Sequence, residues 1–190
     1  MSDIVAKGVN FVYAREFVTA NQGESAWPAI VQRMPPAAAA VWNERFTVLG
    51  TYSFAAFKAL APAIRASGKS QSDESLARMY EFIAERSLNS LYKVFFRMTN
   101  PSFVIGNYPK LWSRFFTVGT VSVSDLADDT AVVTFTVPEI FLDWLGPACL
   151  GYSQKAVALA GGSGLAMSAI RPVRLPSGDW QAAFRLSWRN

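Results

Sequence analysis

The chain has 190 residues, of which 51% are hydrophobic and 14% aromatic, while only 17% are charged. It contains no histidine, which excludes a histidine-ligated heme, a histidine-ligated zinc site and a serine–histidine triad. The formal net charge of +4 is small, and no run of consecutive basic residues occurs, so we expect no nucleic-acid binding. A chain this apolar must bury much of its surface, expose part of it to a partner, or enclose a cavity.

The sequence also bears on location. No apolar stretch reaches the roughly 18 residues that a membrane span needs. The first residues, Met1 to Val5, lack the basic region and apolar core of a signal peptide. The single cysteine, Cys149, cannot form an intrachain disulfide. These observations predict a cytoplasmic protein without a membrane span.

The first 66 residues are predicted to form a helical lobe. Its predicted helices run from Ile4 to Val18, from Ser25 to Met34, from Ala37 to Trp42 and from Phe54 to Ala66. Gly23 supplies the end of the first helix, and Ser53 is a natural cap for the last. Gly68 to Ser72 is a small-residue loop, which we expect to be a mobile connection.

The most strongly patterned helix is predicted from about Asp73 to Met98, with Ser72 as its cap. At about 100° per residue, its apolar side chains cluster on one face: Leu76, Tyr80, Ile83, Leu91 and Val94. Its basic side chains cluster on the other: Arg78, Arg86, Lys93 and Arg97. Asn100-Pro101 ends this helix, and a short helical piece and an amphipathic segment from Pro109 to Phe116 follow.

After Gly119 the apolar period changes from helical to two. Thr130 to Val137 and Trp180 to Arg189 alternate as strands do, and Leu126 to Asp129 and Pro176 to Asp179 are turns of two hairpins. Between the hairpins, a helix starts at Pro138-Glu139 and is interrupted at Gly146-Pro147. The predicted fold class is α+β, with N-terminal helices packed on a C-terminal four-stranded antiparallel sheet (ββαββ). We expect one domain over residues 1–190, with a helical lobe at 1–66 and a ligand-binding-like core at 73–190.

This order carries a family resemblance. The stretch Ser87-Leu-Asn-Ser-Leu-Tyr-Lys-Val-Phe-Phe-Arg97 and the later Gly161-Gly-Ser-Gly-Leu-Ala-Met-Ser-Ala-Ile170 resemble the heme nitric-oxide-binding and 4-vinyl-reductase superfamily. Further similar positions are Lys7-Gly8-Val9, Glu16-Phe17-Val18, Gly23 to Trp27, Asn100-Pro101, Trp112, Phe115-Phe116, Gly119 and Phe184 to Trp188. The likeness covers most of the chain and rests on spacing and apolar character.

The resemblance implies an apolar pocket between helices and a twisted sheet. Members of the superfamily hold heme, fatty acyl chains or other hydrophobic molecules, and some serve mainly as assembly platforms. The heme-binding branch uses a proximal histidine and a Tyr-x-Ser-x-Arg motif, and this sequence has neither. Tyr152-Ser153 and Ser113-Arg114 come nearest to the motif but have different spacing. We therefore expect a heme-less member without a cofactor.

The candidate ligand site follows from this implied architecture. Six apolar side chains are expected around any cavity: Ile83, Leu91, Phe95, Trp112, Phe135 and Trp144. Arg97 or Arg114 could reach an acidic head group at its mouth, and Cys149 could face the pocket. Each has an alternative reading: Cys149 as a small buried hydrophobe, the basic stripe as a solvated helix face, and the aromatic residues as core. Gly161 to Gly164 is a helix C-cap and linker instead of a phosphate loop, because it follows a helix.

Three functions from different classes remain open. The first is a non-enzymatic binding or sensory module for a hydrophobic small molecule. The second is a scaffold or dimerisation domain, with a protein partner or a second copy covering the apolar surface. The third is an enzyme, which the sequence favours least, because no constellation of Asp, Glu, Lys, Tyr or Cys stands out for acid–base work.

Overall fold

A computed structural model describes residues 4–66, 73–96 and 100–190, with the side chains of residues 73 and 89–96 outside that description. The helices are α1 (Gly8–Gln22), α2 (Trp27–Val31), α3 (Pro36–Trp42), α4 (Phe54–Lys58), α5 (Leu60–Ala66), α6 (Asp73–Phe96), α7 (Pro101–Gly106), α8 (Tyr108–Phe115) and α9 (Leu142–Leu159). The strands are β1 (Val5–Lys7), β2 (Thr51–Ser53), β3 (Thr120–Ser124), β4 (Thr130–Val137), β5 (Ser163–Arg174) and β6 (Trp180–Arg189). Most helices precede the sheet, so the α+β class is confirmed.

The four C-terminal strands form one antiparallel sheet in the order β3-β4-β6-β5, which confirms the ββαββ arrangement. Alternation places one set of side chains inward: Ala131, Val133, Phe135, Val137, Ala182, Phe184, Leu186 and Trp188, all of them buried. The turn between β3 and β4 includes Asp125, which has a positive φ of 48°. At one edge of the sheet lies β5, which is mostly exposed and shifts register twice against β6.

Helix α9 packs against β5 and β6 on the inner face of the sheet, and α6 packs on α9. The two helices approach at Gly151, where an added Cβ would lie only 1.9 Å from the backbone oxygen of Ala77. Real Cβ atoms do not come that close to another atom. Glycine is therefore required at this crossing, and the two helices touch through their backbones.

The N-terminal helices are tied to this layer by specific contacts. Lys58 donates from Nζ to the backbone oxygen of Ile140 at 2.7 Å and to Asp143 Oδ1 at 2.5 Å. The rings of Phe54 and Phe141 stack with centroids 4.1 Å apart. These contacts hold α4 against the start of α9, beside the inner face of the sheet.

Three predicted element boundaries are wrong. Residues 5–7 form β1, paired with β2 through Ala6 and Tyr52, so the first helix begins at Gly8 and not at Ile4. The helix predicted from Phe54 to Ala66 is divided at Ala59 into α4 and α5. Helix α9 continues through Pro147 without the predicted interruption.

Two other boundaries agree with expectation. Gly23, with a φ of 85°, ends α1, and its backbone N–H donates to the Thr19 oxygen. Ser53 caps α4 by accepting a hydrogen bond from the Ala56 N–H. The expected mobile loop from Gly68 to Ser72, the Ser72 cap and the end of the helix at Met98 lie outside the described residues. Across the ranges that the structure covers, no helix combines the length and apolar character needed to cross a membrane.

Candidate functional site

A small cavity lies where α6, α8 and α9 meet the first hairpin of the sheet. Its volume is about 60 Å³. Its described lining is Asn10, Tyr80, Ile83, Tyr108, Leu111, Trp112, Phe115, Phe116, Val121, Phe135, Trp144, Leu145, Ala148, Cys149 and Tyr152. Most of these side chains are buried, whereas Leu111, Phe115 and Tyr152 are half-buried. The cavity therefore comes closest to solvent beside α8.

Aromatic rings in mutual contact form the wall. Trp112 lies 4.3 Å from Phe116 and 5.4 Å from Phe135, measured between ring centroids. Phe116 lies 5.2 Å from Trp144, with the two rings nearly perpendicular. Offset and edge-to-face ring pairs at such distances stabilise a core beyond their buried area. The wall is therefore a packed aromatic cluster that leaves a small void.

Several polar groups along the wall already have partners. The Trp112 indole N–H donates to the Val118 oxygen at 2.9 Å, and Asn10 Nδ2 donates to the backbone oxygens of Lys7 and Phe115. The Tyr108 hydroxyl and Ser153 Oγ are 2.7 Å apart and share one hydrogen bond. These groups hold the wall together, since each is occupied by the protein itself.

Two donors in the wall differ from these. The hydroxyl of Tyr80 and the indole nitrogen of Trp144 are buried and have no hydrogen-bond partner among the described residues. Their rings are nearly perpendicular, with centroids 5.0 Å apart, and both residues line the cavity, so the two side chains form one corner of its wall. The two groups lie close together, because an interaction with the Trp144 indole opposes the rise of the Tyr80 pKa. Neither atom meets the distance and angle limits of a hydrogen bond with a described residue. A buried donor left without a partner costs about 1–3 kcal/mol.

Three ionisable groups of the wall are held neutral at neutral pH. Burial raises the pKa of the Cys149 thiol to about 12, although its contact with Ser153 opposes the rise. Burial likewise raises the pKa of Tyr80 and of Tyr108 well above the ordinary value for tyrosine. No Lys, Arg, Asp or Glu is among the described lining residues. At neutral pH the described part of the wall therefore offers neither a thiolate nor a charged acid or base.

Comparison with known proteins bears on the fold. No protein-family model matches the sequence, and a comparison of the sequence with curated proteins found no match. Among solved structures, the chain is similar to an Fe(II) unliganded H-NOX protein from K. algicida, with 14% identity, a TM-score of 0.71 and 97% of each chain covered. A Cs H-NOX mutant aligns with 8% identity, a TM-score of 0.74 and 97% of each chain covered.

A third similar structure is an oxygen-binding H-NOX domain related to soluble guanylate cyclases, in complex with oxygen. It aligns with 7% identity and a TM-score of 0.66, over 96% of this chain and 93% of that one. The chain has an H-NOX-like fold. Because every identity is so low, the likeness establishes the fold alone, and it agrees with the heme nitric-oxide-binding part of the resemblance drawn from the sequence.

The described lining of this H-NOX-like chain does not fit a heme. The cavity of about 60 Å³ is well below the about 150 Å³ of an apolar cavity that accepts benzene, and a porphyrin is several times larger than benzene. No cation on the described wall is available for the propionates. Among the described residues, no group of His, Cys, Asp and Glu side chains could hold a metal ion.

The structure brings five of the predicted site residues together on the cavity wall: Ile83, Trp112, Phe135, Trp144 and Cys149. Arg114 does not line the cavity and is exposed on α8. The side chains of Leu91 and Phe95, and the whole of Arg97, lie outside the described residues. The predicted acidic head group therefore has no cation on the described wall.

The other sequence candidates have structural roles. Arg78 pairs with Glu74 on the surface of α6, and Arg86 pairs with Glu16 of α1 at 2.6 Å, so this part of the basic stripe is already neutralised. Gly161, with a φ of 91°, follows the end of α9, and the Gly162 N–H donates to the Val157 oxygen at 3.0 Å. This is the expected helix C-cap.

Sequence reasoning misses Tyr80 as a site residue and does not anticipate a role for the indole N–H of Trp144. The helical period places Tyr80 on the apolar face of its helix, and it predicts Trp144 only as part of an apolar wall. The available signal is the residue type, since a tyrosine or tryptophan in an apolar stripe carries a polar group that needs a partner when buried. Which of these groups lacks one depends on neighbours distant in sequence.

Proposed function

We propose that this protein is a non-enzymatic binding or sensory module for a compact hydrophobic molecule, held without heme in the aromatic cavity. The observation that carries the proposal is the void itself. Protein interiors pack as densely as organic crystals, so a void ringed by large aromatic side chains is a feature that must be maintained. The H-NOX-like fold supports the proposal, because one of the similar structures is described as oxygen-binding.

The size of the void limits the ligand. A cavity of about 60 Å³ has room for a molecule smaller than benzene or for a few waters, each of which needs about 10–15 Å³. The neutral wall favours an uncharged molecule, because an isolated charge in such a place is strongly disfavoured. A fatty acid, which the sequence also suggested, is too large for the void between the described side chains.

Xenon is the first probe, because it is a compact apolar atom that binds dry cavities. We expect xenon to shift the NMR signals of side chains lining the cavity, with saturation at about one equivalent bound. The variant Ala148→Leu extends a lining side chain into the void and should abolish this binding. Ala156→Leu is the matched control, since Ala156 lies on the same helix, is fully buried and does not line the cavity.

Failure of xenon to bind the wild-type protein would refute the proposal, as would equal binding by the Ala148→Leu variant. In that case the alternative from the sequence, a scaffold or dimerisation domain with a collapsed pocket, becomes the better description. A concentration-dependent dimer in analytical ultracentrifugation, together with absent xenon binding, would support that alternative.

A further inference from the structure

The corner of the cavity formed by Tyr80 and Trp144 contains polar groups as well as apolar surface. Both side chains are at least nine-tenths buried, at 3% and 4% relative exposure. Both present a hydrogen-bond donor that the described protein leaves unused. The other described tryptophan of the wall, Trp112, has its N–H bonded to a backbone oxygen, so an unused indole donor is not a general property of this cluster.

We infer that the ligand of this cavity is a small uncharged carbonyl compound, whose oxygen accepts hydrogen bonds from the Tyr80 hydroxyl and the Trp144 indole N–H. This inference rests on the proposed function and names its ligand class. A carbonyl oxygen has two lone pairs in one plane and accepts two donors, which matches a corner with two donors side by side. The apolar remainder of the molecule then contacts the ring wall formed by Trp112, Phe116 and Phe135.

Charge distinguishes a carbonyl compound from a carboxylate as the ligand, and hydrogen bonding distinguishes it from a hydrocarbon. A carboxylate would bring a negative charge into a lining with no described cation, and burying such a charge without a partner is strongly disfavoured. A hydrocarbon would fill the same space but leave both donors unpaired. The size limit, below benzene, restricts the compound to the scale of acetone.

Acetone and isobutene provide the test, because they have nearly the same shape and differ in the acceptor oxygen. Their dissociation constants are measured by NMR titration, with the Trp144 indole proton as one reporter. The quantity compared is the preference for acetone, taken as the isobutene constant divided by the acetone constant. Comparing this ratio between variants cancels the different hydration of the two probes.

We expect the preference to fall about 3- to 10-fold in Tyr80→Phe and again in Trp144→Phe, the range for loss of one net hydrogen bond. The control is Tyr13→Phe, which removes a hydroxyl from a residue outside the cavity lining and should leave the ratio unchanged. In the wild-type protein, acetone should move the Trp144 indole proton downfield, and isobutene should not.

The outcomes separate this inference from the proposed function. If both probes bind and the ratio is unchanged in both variants, the donors are not used and the inference is wrong, while the cavity still binds apolar molecules. A fall of the same size in Tyr13→Phe would also overturn the inference. If neither probe nor xenon binds the wild-type protein, the proposed function itself fails.

Discussion

Filling the cavity provides a stability test that needs no ligand. Ala148 is 3% exposed and lines the void, so Ala148→Leu places additional carbon atoms where no protein atom lies. Each Å³ of empty cavity costs about 24 cal/mol, so the void of about 60 Å³ corresponds to about 1.4 kcal/mol. We expect Ala148→Leu to raise the free energy of unfolding by an amount between zero and that limit.

Ala156→Leu serves as the reference, because the same substitution occurs on the same helix. The helix-propensity change is therefore nearly equal in the two variants. Ala156 is fully buried in a separate packed cluster with Ala84, Leu88 and Val104, so a larger side chain there must displace its neighbours. Such overpacking costs about 1–3 kcal/mol.

The assay is equilibrium urea denaturation, with the free energy of unfolding extrapolated to water. The two variants should differ by at least about 1 kcal/mol, the lower limit of the overpacking cost, with Ala148→Leu the more stable. If Ala148→Leu loses as much stability as Ala156→Leu, the space beside Ala148 is already filled, and the cavity argument is refuted.

Three further predictions concern the fold and the heme. Trp188→Ala should lower the free energy of unfolding by about 3–5 kcal/mol, since this ring is 4% exposed and its indole N–H donates to the Asp128 oxygen. Arg189→Ala should leave that free energy within about 0.5 kcal/mol of wild type. Equal urea midpoints for the two variants would contradict the assigned strand faces. Gly151→Ala should force α6 and α9 apart and destabilise the protein, because the added Cβ would lie 1.9 Å from the backbone oxygen of Ala77. Thermal melting unchanged from wild type would argue against this backbone contact. Protein expressed with excess heme should show no stoichiometric Soret band, and near-unit heme occupancy that survives gel filtration would contradict the proposed heme-free site.

The sheet was predictable because its signal is local. Along β4 and β6, apolar and polar residues largely alternate, and the turns at Leu126 to Asp129 and Pro176 to Asp179 have the expected composition. The pairing of β3 with β4 and of β5 with β6 followed from these turns. These features require no knowledge of distant contacts.

The errors have two kinds of cause, a distant contact in one case and an exception to a local rule in another. Residues 5–7 are extended because they pair with β2, more than forty positions away, and nothing in their own composition indicates it. Helix α9 continues through Pro147 because the residue before it is Gly146, which lacks the Cβ that crowds a following proline. The hydrogen bond that Pro147 cannot donate would go to the carbonyl of Asp143, an exposed residue in the first turn of the helix.

The candidate site was predictable in its apolar half only. Trp112, Phe135 and Trp144 could be placed on the wall because the family resemblance implies a pocket between the helices and the sheet, and strand alternation also directs Phe135 inward. The indole N–H of Trp112 has a partner because the backbone oxygen of Val118 lies beside it, whereas the indole N–H of Trp144 has no such acceptor among the described residues. No periodicity carries that information, so the polar half of the site required coordinates.

The open edge of β5 has a consequence for the behaviour of the protein at high concentration. An unpaired strand edge is a template on which another extended chain can add, and this is a common route to aggregation. Here the edge contains Pro172, which lacks an N–H, and a register shift between Ile170 and Val173. Arg171 and Arg174 flank it, both exposed, so their charges repel a second copy of the same strand. Val173 is an exposed hydrophobic residue on this edge. The arginine charges, the register shift and the missing N–H of Pro172 together disfavour pairing of this strand with the same strand of a second copy.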